Sequence, residues 1–219
     1  IALENDLSLE LEYARLLEKS GDVNTSLSYL YDMAERYGFV PQISHMIAMI
    51  SMEENDEISA WNNFNKLLAS DYYNNESNYY LAKMSAASRQ YLDALRYFSQ
   101  VRPGPFFLPA QISIADILGQ VGDLDAGIAH LDEVYAQFPR LGFDIWSAKA
   151  GLYARYWRSE ESFEACNRSL EYQPGNIKLI LDRAAALDLM GDSNAAIDAF
   201  RRALAIAPDN SDGLNSLGY

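Results

Sequence analysis

Of the 219 residues in this chain, only two are histidine and one is cysteine. Catalytic bases and transition-metal sites are assembled mostly from such side chains, held at short, fixed spacings. Here His45 and His130 stand 85 residues apart and Cys166 stands alone. No Gly-rich phosphate loop, HExxH helix, GxSxG elbow or cysteine pair occurs. We therefore expect no catalytic residue, no metal site and no cofactor. Each histidine reads as a surface or groove side chain, and the lone thiol as a small buried hydrophobe. The sequons at Asn24, Asn75 and Asn167 would matter only in a eukaryotic secretory context, which nothing else in the sequence suggests.

Charge narrows the partners. With 17 basic against 31 acidic residues the chain carries a net charge of −14, and no Lys/Arg run exists to grip a phosphate backbone or an anionic membrane. A hydrophobic content of 49% leaves ample material for a packed core. The most apolar stretch, Phe39 to Met52, is interrupted by Pro41, Gln42, Ser44 and His45, so no segment is expected to span a bilayer. The chain begins at Ile1 without a signal segment and reads as an excerpt of a longer protein.

What must position any binding residue is a repeat. Gly21-Asp22, Gly122-Asp123 and Gly191-Asp192 each separate two helix-period stretches, and Pro139, Pro174 and Pro208 follow at 35 and 34 residues. In that register a first column of small residues runs Ala14, Ala48, Ala82, Ala115, Ala150, Ala184 and Gly218. Twelve residues later a second small column reads Ser26, Ala60, Ala94, Gly127, Ser162 and Ala196. Four further on stand Leu30, Phe64, Phe98, Leu131, Cys166 and Phe200. Two small columns predict two helices crossing closely, and the apolar column fills the space beside the crossing. Each unit is thus a helix, a tight turn and a second helix; where a closing proline follows, it stops that second helix.

This pattern resembles the tetratricopeptide-repeat family, most clearly in Ala184, Leu187, Gly191-Asp192, Ala196, Phe200, Ala203 and Pro208. The unit before it keeps Trp146, Ala150, Tyr153 and Pro174 but has Trp157 where Gly is usual. The resemblance implies an all-α, right-handed solenoid of helical hairpins forming a single array. Its units are 7–40, 41–74, 75–107, 108–142, 143–176 and 177–210, with 211–219 opening a seventh and 1–6 ending a preceding element. It also implies a non-enzymatic scaffold that binds a protein or peptide segment on its concave face. The family's groove positions fall on His45, Met49 and Met52, then on Tyr79 and Lys83, then on Ile112 and Asp116. Met49, Met52, Tyr79 and Ile112 would supply apolar contact while Lys83 and Asp116 set the partner's polarity. For Met49, Met52 and Tyr79, packing against neighbouring helices is an equal alternative. The family's carboxylate clamp has no counterpart, since Leu11/Arg15, His45/Met49 and Tyr79/Lys83 occupy the clamp positions.

A narrower resemblance rests on Tyr79-Tyr80-Leu81-Ala82, Ala94 to Phe98, Pro109 to Ile112 and Asp209 to Tyr219. These segments are similar to long tetratricopeptide lipoproteins of the gammaproteobacterial outer membrane. Such proteins are adaptors for a carboxyl-terminal processing protease and its cell-wall hydrolase substrates, which would place this chain on the periplasmic side of that membrane. Without that resemblance the expected location is cytoplasmic. Alternative readings are a regulatory domain of a larger enzyme and a solenoid with a closed small-molecule pocket. Self-association through the end carrying Leu214 and Leu217 is a further expectation.

Overall fold

A computed structural model describes the backbone of residues 2–217 and the side chains of 6–211 and 213–215. Gly218 and the side chain of Leu217 lie outside the described residues. Among the described residues there are thirteen α-helices and no strand. In chain order they are α1 (Ala2–Lys19), α2 (Val23–Tyr37), α3 (Pro41–Glu53), α4 (Glu57–Ala69), α5 (Asn74–Ala87) and α6 (Tyr91–Ser99). There follow α7 (Phe107–Gln120), α8 (Leu124–Gln137), α9 (Gly142–Arg155), α10 (Ser159–Tyr172), α11 (Ile177–Leu189), α12 (Ser193–Ile206) and α13 (Ser211–Leu217). Residues 2–6 are continuous with α1.

The helices pair as hairpins, and the crossing inside each pair falls where the small columns meet. Ser26 Oγ donates to the Ala14 carbonyl at 2.8 Å, and Ser162 Oγ donates to the Ala150 carbonyl at 3.0 Å. A Cβ placed on Gly127 would stand 2.5 Å from the Ala115 carbonyl oxygen. At Gly127 the approach leaves no room for any side chain, and at the other crossings it is met by Ala or Ser. Every described residue of the two small columns and of the apolar column is buried.

The turns repeat with the same spacing. Gly21, Asn55, Arg89, Gly122, Trp157 and Gly191 all have positive φ, between 57° and 96°. Each left-handed residue ends the first helix and re-aims the chain into the second. The next residue caps that second helix: Asp22, Asp56, Asp123 and Asp192 accept from Thr25, Ser59, Ala126 and Ala195 amides at 3.0–3.4 Å. Gln90 and Arg158 stand at the same position without a side-chain cap. The closing prolines act as expected, with α8, α10 and α12 ending two residues before Pro139, Pro174 and Pro208.

The chain gathers into two compact units, residues 1–110 and 111–219, with the boundary inside α7. In the first, α3 is sandwiched: Ile43, Ile47 and Ile50 pack on Ala14, Leu30 and Met33, while Ala48 faces Ala60, Phe64, Leu67 and Leu81. Burial on both sides accounts for the apolar residues spread around α3, with only Ser44 and His45 interrupting Ile43–Ile50. In the second unit Ala150, Cys166, Leu170, Leu179, Ala184 and Phe200 form one continuous core, with Phe143, Trp146 and Tyr153 against it.

Candidate partner-binding surface

In the first unit the expected groove residues lie on α3 and α5. His45 is half-buried; its Nε2 sits 2.9 Å from Glu76 Oε2, and its ring stacks on Tyr73 at 4.2 Å. The histidine therefore ties the second hairpin to the third. Met49 and Met52 are half-exposed at the margin of the core formed by Ala48, Phe64 and Leu81. Their thioethers offer a polarizable, adaptable surface.

Tyr79 is drawn inward. Its ring lies 5.2–5.8 Å from those of Tyr80, Phe98 and Phe106, an aromatic cluster that holds α5 against α6 and the start of the following turn. The ring packs through these contacts and remains half-exposed. Tyr80, its neighbour, stacks on Phe64 at 5.2 Å, and this burial raises its phenol above the usual range. Lys83 remains exposed, with Nζ 5.8 Å from the Tyr79 ring centre, so the ring supports a cation at the surface.

Ile112 and Asp116 belong to the second unit, on α7. Ile112 is half-buried. Asp116 accepts a hydrogen bond from Gln120 Nε2 at 2.7 Å and forms an ion pair with Arg155 of α9. Its carboxylate is thus paired within the fold and stays partly exposed. His130, in the same unit, meets Gln111 Oε1 at 2.8 Å, and burial pushes its imidazole below the ordinary value. Cys166 is fully buried, and desolvation pushes its thiol up to about 12, so the nucleophilic thiolate is suppressed. Among the described residues no cluster of three or more His, Cys, Asp and Glu could hold a metal ion, and no helix is long and apolar enough to cross a membrane.

Two features escaped the sequence pattern. Lys149 is buried at 4% exposure, donating to Asp132 Oδ1 at 2.7 Å with its ammonium 4.2 Å over the Trp146 ring. A lysine at a helix-face position gives no warning of such a cage. Ile58 and Leu92, by contrast, are large apolar side chains left in solvent. Both interrupt a register column that is polar in the other hairpins.

No family model matches the chain. Over 143 residues it is 26% identical to a TPR repeat-containing protein of Pseudomonas aeruginosa, a match covering 65% of this chain and 24% of that protein. The matched region thus spans about a quarter of that relative's length. Among solved structures, PilW, a widely conserved type IV pilus biogenesis factor, aligns with a TM-score of 0.69 at 13% identity over 96% of this chain and 97% of that one. A tetratricopeptide repeat protein from Parabacteroides merdae aligns with a TM-score of 0.63 at 14% identity, covering 96% and 82%.

Hairpins, crossings and these neighbours define the class: an all-α fold of the tetratricopeptide-repeat solenoid type. Such a fold supports a protein–protein interaction scaffold, and proteins built this way are generally non-catalytic.

Proposed function

We propose that this chain binds a segment of a partner protein along the exposed flanks of α3 and α5. The observation that supports this most is the half-exposed pair Met49 and Met52, the latter sharing a small cleft with the solvated Lys83, a soft apolar strip with a cation at its edge. Exposed methionines accommodate varied side chains, and a single fixed charge orients what they hold. In its finer form the proposal makes the partner a carboxyl-terminal processing protease or one of its cell-wall hydrolase substrates, with the chain on the periplasmic side of an outer membrane. That finer form rests on the sequence resemblance alone.

The test is co-purification of a purified protease of that class with this chain and with a Met49→Glu, Lys83→Glu variant. Both positions are partly or fully exposed, so circular dichroism of the variant should match the parent. Capture should fall about tenfold, the loss expected when central contacts of an interface are removed. Equal capture by the folded variant would move the interface off this strip.

A further inference from the structure

Between the second and third hairpins lies a crevice of about 350 Å³, lined chiefly by Ile58, Trp61 and Asn62 of α4 and by Met84 and Ser85 of α5. A smaller arm of about 150 Å³, lined by Ser51, Met52, Lys83 and Ala87, shares Glu57 and Met84 with it. We propose that this crevice receives one large apolar side chain of a partner polypeptide, with a lysine or arginine flanking that side chain. The proposal deepens the scaffold reading by naming a pocket and the chemistry that fills it.

Four observations carry it. Counted in the repeat register, Ile58 and Leu92 occupy a position held elsewhere by Asn24, Asp125, Glu160 and Asn194. Only the second and third hairpins put an apolar residue there, and both side chains stay in water, at 76% and 86% exposure; of the two, Ile58 lines the crevice. The volume matches the lower end of ligand-binding clefts, about 300–1,000 Å³, and suits a single anchor better than an extended ligand. Ser51, fully buried where it lines the smaller arm, has a hydroxyl with no hydrogen-bond partner among the described residues, a polar group left unsatisfied beside the crevice.

Charge selects the flanking residue. Glu57 lines both parts of the crevice, and Glu53, Glu54 and Asp56 stand just before it at the end of α3 and in the adjoining turn; all four are exposed, and none is ion-paired among the described residues. Asp56 is occupied in capping Ser59, which leaves three free carboxylates. On the α5 side only Lys83 and Arg89 oppose them, so the mouth favours a cation entering beside the α3–α4 turn.

The test uses a fluorescein-labelled peptide with two lysines before a single phenylalanine, titrated with the whole chain and read by anisotropy. Saturable binding is expected, weakened about tenfold by Ile58→Glu, a change at an exposed position that leaves the helices intact. Replacing Glu53, Glu54 and Glu57 by Gln should also weaken it, and more so at low salt. Leu16→Glu, at an exposed position on α1 away from both surfaces, should leave the peptide's affinity unchanged, while protease capture by the Met49→Glu, Lys83→Glu variant reads the α3–α5 strip separately. The proposal falls if no saturation occurs, if Ile58→Glu binds equally well, or if a peptide with Ser in place of Phe binds as tightly. It falls equally if the lysine-free peptide with Glu in their place binds as well. A dimer seen by sedimentation and dispersed by Ile58→Glu would also overturn it, by assigning the crevice to a second copy of the chain.

Discussion

The crossings and the turns of this chain answer to the same repeat but obey it to different degrees. At the crossings every described position is small, from Ala14 and Ser26 in the first hairpin to Ala184 and Ala196 in the sixth. At the turns half the positions have drifted, with Asn55, Arg89 and Trp157 in the left-handed conformation that Gly21, Gly122 and Gly191 adopt more readily. A crossing is closed by backbone on the far side, which cannot retreat without unpacking a helix. A turn faces water, so a side chain there meets no obstacle and only the backbone preference is lost, about 1–2 kcal/mol for a non-glycine residue. Degeneracy in these repeats therefore follows what stands opposite a residue, not how central the position is to the fold.

One substitution made at two glycines would break this comparison if it is wrong. Gly127→Ala drives a Cβ into the Ala115 carbonyl and should destabilise by about 1–3 kcal/mol, whereas Gly151→Ala, mid-helix in α9 with open space around it, should stabilise by about 0.5–1 kcal/mol. Urea denaturation of both variants decides, and equal shifts would show that the crossing is looser than its geometry implies. Trp157→Gly sharpens the turn half of the comparison. The indole is 76% exposed at a φ of 59°, so relief of the left-handed backbone should outweigh lost contacts and raise stability by about 0.5–1 kcal/mol. A lower denaturation midpoint would mean the indole packs on something after all.

The smallest effect belongs to a contact of neither kind. Glu10 of α1 receives Arg36 and Tyr37 of α2, and the guanidinium holds its carboxyl down to about 2 from an ordinary 4.5. Because the folded value is depressed, the contribution is present above about pH 4.5 and is lost as pH falls toward 2. Arg36 is half-exposed, so solvent screens the pair and the effect on stability is modest. The difference in midpoint between the parent and Glu10→Gln should shrink across that window. A difference that stays constant to pH 2 would contradict the assignment.

The hairpins were legible because the crossing imposes one requirement every turn of the repeat, and a requirement that recurs leaves a periodic mark. The surface was not legible in the same way. His45 meets Glu76 and Asp116 meets Arg155, 31 and 39 residues away, and nothing in a single helix face announces those pairings. Tyr79 was ambiguous for a related reason: the aromatic residues that claim it, Phe98 and Phe106, lie on a different helix and in a loop whose path the register does not determine. The crevice arises from how the second and third hairpins meet, although its exposed Ile58 is visible as a break in an otherwise polar column.

The solitary thiol gives the second unit a built-in reporter. Cys166 sits in the apolar column beside the α9–α10 crossing, fully covered and held protonated. A disulfide reagent can reach it only when that hairpin parts from its neighbours, and no other cysteine in the chain competes for the reagent. Its labelling rate under native conditions therefore measures how often, and at what free energy, this part of the array opens. The protein thus carries one chemical stopwatch, placed by the packing code at a position where Leu or Phe would have been silent.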